Sequence, residues 1–194
     1  MPASLVAFWV RDPMPFSPQP RYNRSAGFTL VELLIVVSIV GILASVSMAI
    51  YRNSRITAGE ATAISTLHAI NQAQFTFSQL CGNQRYAPTL ATLVAPMPST
   101  GQAFLSPDMA FDPLEKGGYQ FTLAGTAVTD GGLTCTGGTP VVSYQVTADP
   151  LRPGLSGIRY FATNTDRIVF VDATKTFAPD MPETGPPAHG AEMK

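Results

Sequence analysis

The sequence predicts an α+β fold, in which one long N-terminal helix packs against a C-terminal antiparallel sheet of about four strands. No proline occurs between Phe28 and Pro88, whereas most of the 17 prolines and 16 glycines lie after residue 80. Because proline breaks helix interiors and both residues favour turns, the helix belongs before residue 80 and the turn-rich part after it. Runs of alternating apolar and polar residues in that second part are typical of half-buried strands.

Residues 28–50 form an apolar segment that is long enough to cross a membrane. As a helix it would span about 34 Å, against a hydrocarbon core of about 30 Å. A secretory signal peptide fits poorly, because its apolar region is shorter and its small residues follow that region; here Ser25, Ala26 and Gly27 precede it. A plain signal anchor explains the length of the segment but not the carboxylate of Glu32, which is costly in a membrane.

Cleavage of the chain would give Glu32 a partner. If the chain were cut after Gly27, Phe28 would gain an α-amino group about one helical turn from the Glu32 carboxylate. The two charges could pair within one chain or between neighbouring chains. Either pairing would lower the free energy needed to bury both charges.

Residues 51–80 continue the helix in amphipathic form. Apolar residues recur every seven positions there, and further apolar residues widen the stripe. This pattern predicts that one face packs on a core. The stripe consists of Ile56, Ala63, Leu67, Ile70, Ala73, Phe77 and Leu80.

The second half of the chain carries the strand signals. Gly82 and Asn83 can end the helix in left-handed backbone angles, and residues 81–118 are predicted to form a long connecting loop. Residues 164–166 are typical of a hairpin turn. The Pro-rich, polar tail is predicted to be disordered. The predicted strands are residues 119–124, 141–148, 158–163 and 167–172.

The stretch GFTLVELLIVVSIVGIL at residues 27–43 resembles the class III signal of type IV pilins and type II secretion pseudopilins. The resemblance implies that a prepilin peptidase cuts after Gly27 and methylates the amine of Phe28. It also implies that Glu32 guides the subunit into a filament. Gly41 falls where pilins often carry a helix-loosening glycine, but Ala49 stands where many have a proline. In this family a C-terminal tail can also lie on the head.

These observations divide the chain into five parts. Translation could also start at Met14, which would shorten the leader. The parts are a leader at 1–27, a transmembrane and filament-core helix at 28–50, its amphipathic continuation at 51–80, a β-rich head at 81–177 and a tail at 178–194.

The chain has two cysteines, Cys81 at the predicted helix end and Cys135 in a glycine-rich loop. An even number of cysteines in an exported chain suggests one disulfide, which would close a loop of about fifty residues and contribute about 3–4 kcal/mol. Two free thiols are the alternative.

No catalytic or metal site emerges from the sequence, so neither an enzyme nor a cofactor is expected. His68 and His189 are isolated, and no cysteine or histidine cluster has metal-ligand spacing. Asp166, Asp172 and Asp180 are candidate calcium ligands by analogy with some pseudopilins, but acids at such spacing are more often solvated turn residues. The net charge of −1 without a basic patch argues against binding nucleic acid.

The resemblance therefore predicts a structural subunit that polymerises through its N-terminal helix into a type IV pilus or related filament. Its expected partners are copies of itself, other pilin-like subunits, the prepilin peptidase, the inner-membrane assembly machinery and the membrane. Its expected location is the bacterial inner membrane, as a single-pass protein with a periplasmic head, and then the pilus or pseudopilus. The alternatives are a type II secretion pseudopilin, a minor pilin whose head binds DNA, a surface or a partner, and an enzyme tethered by a signal anchor.

Overall fold

A computed structural model describes residues 27–129 and 132–193 of the chain. The chain forms two units, Met1–Leu43 and Ala44–Lys194. A single helix, α1, runs over Leu30–Leu80, and a second helix, α2, over Leu90–Val94. Apart from Gly27, the predicted leader lies outside the described residues.

Within the described residues, six strands form one antiparallel sheet in sequence order. The α+β prediction is therefore confirmed, with two more strands than the sequence predicted. The turn predicted at residues 164–166 joins β4 to β5, where Arg167 N donates to Asn164 O at 2.8 Å. The strands are β1 Leu114–Lys116, β2 Tyr119–Ala127, β3 Val141–Pro150, β4 Tyr160–Asn164, β5 Val169–Asp172 and β6 Ala191–Glu192.

The core lies between α1 and one face of the sheet. The predicted stripe is confirmed at Ala63, Leu67, Ile70, Ala73 and Phe77, which are all buried. Its two ends differ from the prediction: Leu80 is exposed and Ile56 is only half buried. Cys81, four residues after Phe77 and on the same face, takes the buried position at the C-terminal end.

Polar side chains of α1 also reach into this core and form hydrogen bonds with residues of the head. Gln74 bonds both backbone groups of Ala87, with Oε1 accepting from Ala87 N at 2.8 Å and Nε2 donating to Ala87 O at 2.9 Å. Asn71 donates to Thr163 Oγ1 at 2.8 Å and accepts from the Tyr144 hydroxyl at 3.0 Å. Both buried amides thereby have partners for their donor and acceptor atoms, which fixes the register of the helix on the sheet.

Helix α1 ends where the sequence predicted, but the residues with left-handed backbone angles differ in part. Cys81 N and Gly82 N both donate to Phe77 O at 2.8 Å. Asn83 has the predicted positive φ of 49°, but Gln84, with a φ of 67°, takes the second left-handed position instead of Gly82. A side chain at Gly82 would put Cβ 2.0 Å from the Arg85 carbonyl oxygen, so the glycine is needed for close approach of the backbone.

Residues 81–118 are not the long loop that the sequence predicted. They hold α2, which Thr89 caps by accepting from Thr92 N at 3.2 Å, a short 3-10 helix at Pro107–Met109, and β1. Gly117 and Gly118, with φ of 61° and 85°, form the tight turn between β1 and β2. A Gly-Gly pair between apolar runs is a hairpin signal, which the abundance of glycine and proline in this stretch had masked.

The prediction of a disordered tail is wrong for residues 178–193. Phe177 and Met181 are buried against Ala162 and Phe170 in a second apolar cluster. Asn164 Nδ2 donates to Pro182 O at 3.2 Å and to Gly185 O at 2.7 Å, and β6 pairs with β5. Two large apolar anchors and backbone pairing hold this stretch, although its average composition is polar and Pro-rich.

Glu60 joins α1 to the loop between β3 and β4. Its Oε1 accepts from Ile158 N at 3.1 Å and Arg159 N at 3.2 Å, and its Oε2 accepts from Arg159 Nη2 at 2.6 Å and Nε at 2.9 Å. The Glu60 side chain is 6% exposed, so these donors replace the water that the carboxylate has lost. These bonds hold the loop after β3 against a helix residue that lies about a hundred positions earlier in the sequence.

A disulfide joins Cys81, one residue beyond the end of α1, to Cys135, and the two Cα atoms are 4.9 Å apart. The Cys135 N–H also donates to Cys81 O at 3.0 Å. The bond spans a sequence separation of 54 residues. It therefore fastens the loop between β2 and β3 to the helix end.

Opening the disulfide should lower the free energy of unfolding of the head by about 4 kcal/mol, because the released loop regains its chain entropy in the unfolded state. Urea unfolding of the full chain in detergent, followed by near-UV circular dichroism for the Cys81→Ser/Cys135→Ser variant, measures this loss. A loss below about 1 kcal/mol would contradict the assignment of the bond as a structural one.

Replacing Glu60 should destabilise the head by about 2–3 kcal/mol, because Glu60→Ala leaves Ile158 N, Arg159 N and part of the guanidinium without an acceptor. The same urea titration checks this loss. Glu115→Gln on the exposed face of β1 is the matched control, and it should change the free energy of unfolding by less than about 0.5 kcal/mol. Equal losses for both variants would show that Glu60 does not hold the loop.

Candidate processing and assembly segment

The N-terminal end of α1 is closed by a capping pair. Glu32 N donates to Thr29 Oγ1 at 3.2 Å, and Thr29 Oγ1 lies 3.5 Å from Glu32 Oε2. Leu33 N donates to Thr29 O at 3.2 Å, which makes Thr29 the first residue of the cap. The Thr29 hydroxyl thus caps one free N–H group of the first turn, and the Glu32 carboxylate in that turn complements the positive end of the helix dipole.

The predicted cleavage site lies directly before this cap. Gly27 and Phe28 are outside the helix and exposed, and the Phe28 side chain is 76% exposed. A side chain at Gly27 would meet no atom within 4 Å. The bond between them is therefore open to a peptidase, and Glu32 follows within about one helical turn.

The large apolar side chains of the segment at residues 28–50 are exposed in the part of the chain that the structure describes. The large apolar residues described between Phe28 and Ile50 are 48–80% exposed. Among the described residues, α1 is long and apolar enough to cross a membrane. The core helix of a soluble protein passes the same test of length but is mostly buried, whereas the apolar window of α1 is 0% buried.

The polar and flexible positions of this segment are accommodated within the helix. Ser38 donates its hydroxyl to Leu34 O at 2.8 Å, which satisfies the side chain without water. Gly41 lies within α1, which runs without interruption over Leu30–Leu80, so the helix shows no break at the glycine. The helix assignment is thus unbroken through the apolar segment.

The titratable residues of the head have structural roles. His68 is exposed on α1. His189 Nδ1 pairs with Asp172 Oδ2 at 2.8 Å and stacks on Phe177 with ring centroids 4.9 Å apart. The Thr174 N–H, then the Thr174 hydroxyl and His189, hold the pKa of Asp172 well below its usual range. Burial raises the pKa of Tyr144, whose hydroxyl donates to Asn71.

The candidate calcium ligands do not converge. Asp166 accepts from Gly185 N at 2.7 Å, Asp172 is bound by Thr174 and His189, and Asp180 is exposed. In the part of the chain that the structure describes, no three His, Cys, Asp or Glu side chains form a group that could hold a metal ion.

The structure adds Thr29 to the residues named from the sequence. Gly27, Phe28, Thr29 and Glu32 stand together at the start of α1, whereas Cys81 and Cys135 join at its other end. The signal for Thr29 was present, because T-x-x-E before an apolar run is a capping box.

Comparison with known proteins gives one match. Residues 22–48 match the family described as "Prokaryotic N-terminal methylation motif". A search of curated proteins and a search of solved structures return no match for this chain. The motif indicates a structural subunit rather than an enzyme, and together with the apolar helix it is consistent with anchoring in a membrane. The chain therefore carries the N-terminal signature of type IV pilins and pseudopilins.

Proposed function

We propose that the chain is made as a prepilin, is cut between Gly27 and Phe28 and methylated on Phe28, and then polymerises through α1 into a type IV pilus or related filament. The exposed apolar segment carries the proposal. Its large apolar side chains are about half exposed or more among the described residues, which is unfavourable in water. Lipid can cover them before assembly, and the same segments of neighbouring copies can cover them in a filament.

Glu32 supplies the register of assembly in this proposal. Its carboxylate stands at the start of the apolar segment, where the capping hydroxyl of Thr29 satisfies it only weakly, at 3.5 Å. Cleavage before Phe28 would add a cation about one turn away. An unpaired charge in a bundle of apolar helices is costly, so subunits would settle where this amine and a Glu32 carboxylate pair.

The partners follow from the same proposal. A prepilin peptidase cuts and methylates the exposed Gly27–Phe28 site, and inner-membrane assembly machinery moves the subunit from the membrane into the filament. The head lies in the periplasm before assembly and in the pilus or pseudopilus afterwards. Other subunits of this kind, including copies of the same chain, cover the apolar segment.

Two substitutions separate the charge of Glu32 from its capping role. Glu32→Gln keeps a side chain that can complete a capping box but removes the carboxylate. Thr29→Ala removes the capping hydroxyl, at a loss of about 1 kcal/mol of helix stability, and keeps the charge. We expect Glu32→Gln to reduce assembled filament by roughly tenfold or more, because the Phe28 amine loses its partner. Thr29→Ala should assemble near the normal level.

The measurement is the amount of the chain in sheared filaments and in membranes of the native cells, by quantitative mass spectrometry. Both variants should remain in the membrane and be cut before Phe28. Normal filaments from Glu32→Gln would contradict the role of the charge. Equal loss in both variants would assign Glu32 to the helix end instead. Wild-type chain that is cut but never leaves the membrane fraction would contradict a filament subunit.

A further inference from the structure

A groove in the second unit collects arginine side chains just after the apolar segment. It encloses about 580 Å³ between α1, the turn between β1 and β2, and the loop between β3 and β4. Arg52 and Arg55 of α1 line it from one side and Arg152 of the loop from the other. No acidic side chain among the described residues lines it, and no described carboxylate forms an ion pair with these guanidinium groups. The groove is therefore positively charged.

The walls of the groove are held in place by close backbone contacts. A Cβ atom at Gly59 would lie 2.7 Å from Ser156 O and 2.8 Å from Gly117 O, so the helix touches both loops directly. Ser156 Oγ accepts from Arg152 N at 3.0 Å and lies 3.2 Å from Arg152 O, which closes the loop on itself. The Glu60 bonds to Ile158 and Arg159 fasten its far end. Arg152 is thus carried by a fixed loop.

The position of the arginines along α1 matches the level of lipid phosphates. Arg52 and Arg55 follow Ile50, the end of the apolar segment, by two and five residues, or about 3 and 8 Å along a helix. The headgroup layer on each side of a bilayer is about 5–8 Å thick. Tyr51, which also lines the groove, belongs to the residue types that favour this layer.

The loop beside the groove presents apolar side chains to the outside. Leu151, Leu155 and Ile158 are 43%, 57% and 56% exposed, and Leu155 lines the groove itself. Cationic and apolar side chains on one surface are typical of a membrane interface, where the cations meet phosphates and the apolar groups meet the acyl boundary. Guanidinium groups also match the oxygens of a phosphate by paired hydrogen bonds.

We propose that this groove binds the phosphate of an anionic phospholipid in the outer leaflet of the membrane that α1 crosses. The inference rests on the membrane anchoring in the proposed function. The bound lipid would hold the head at one height and orientation on the membrane surface before the subunit leaves for the filament. The ligand class is a phosphate diester with a net negative charge on a lipid.

Retention of lipids by the full chain in detergent tests the proposal by native mass spectrometry. Phosphatidylglycerol, phosphatidylcholine and inorganic phosphate are the probes. We expect the wild-type chain to retain phosphatidylglycerol about tenfold more than phosphatidylcholine, and Arg52→Gln/Arg152→Gln to lose this preference. Arg85→Gln/Lys175→Gln, which removes the same charge outside the groove, should keep it.

Several results would overturn the proposal. Equal retention by the two double variants would mean that net charge alone decides binding. Displacement of phosphatidylglycerol by an equal concentration of inorganic phosphate would assign the groove to a free anion. If the wild-type chain forms dimers without retaining lipid, and Arg52→Gln/Arg152→Gln does not form them, the groove would be an interface between copies. If that variant does not fold, Arg152→Gln alone removes one charge from the groove, and lipid retention unchanged from wild type would also count against the groove.

Insertion into lipid nanodiscs separates failure of this inference from failure of the proposed function. All of these variants should insert through the apolar segment. Insertion without a preference for the anionic lipid would overturn the groove assignment alone. A wild-type chain that does not insert would overturn the membrane anchoring and the groove together.

Discussion

The apolar surface of α1 between Phe28 and Ile50 is the constraint on which the rest of this protein depends. Among the described residues, its large apolar side chains are 48–80% exposed. Each large apolar side chain moved out of water gains roughly 1.5–3 kcal/mol, so together they require lipid or other copies of the segment. In the proposed function, this surface first lies in a membrane and then passes to neighbouring copies, and the capped start at Thr29 and Glu32 with the predicted cleavage site before it serves that transfer.

The second half of the same helix solves a different problem, which is to carry a head that is mostly sheet. Apolar packing gives the attachment its free energy, and buried polar bonds give it a single register. Gln74, Asn71 and Glu60 bind the helix to Ala87, to β3 and β4, and to the loop after β3. The disulfide at Cys81 closes the far end. Forces on the head would thus reach the helix through several fixed points.

Both faces of the sheet are used. α1 covers one face, and the tail covers part of the other through Phe177 and Met181. Glu183 of the tail accepts from the hydroxyls of Thr126 and Ser143 and so reaches across β2 and β3. Asp172 and His189 pair beside β5. Two of the three candidate calcium ligands, Asp166 and Asp172, hold turns and the tail, whereas Asp180 is exposed.

Features that depend on residues close together in the sequence could be predicted from it, whereas contacts between residues far apart in the sequence could not. The long helix, its buried stripe and the Gly27–Phe28–Glu32 motif depend on local periodicity and spacing. The tail was misjudged because Phe177 and Met181 are single anchors in a Pro-rich stretch, and an average over composition hides them. The pairing of Glu60 with Arg159 leaves no local pattern. The same holds for the arginine groove, whose walls come from three separate segments.

The mass of the intact protein, purified from its native cells, tests the central claim most directly. The account predicts a chain that begins at Phe28, carries one added methyl group on its amine and keeps the Cys81–Cys135 bond. A chain that retains residues before Phe28, or one cut at another position, would contradict it, because the proposed pairing of Glu32 requires the new amine at Phe28.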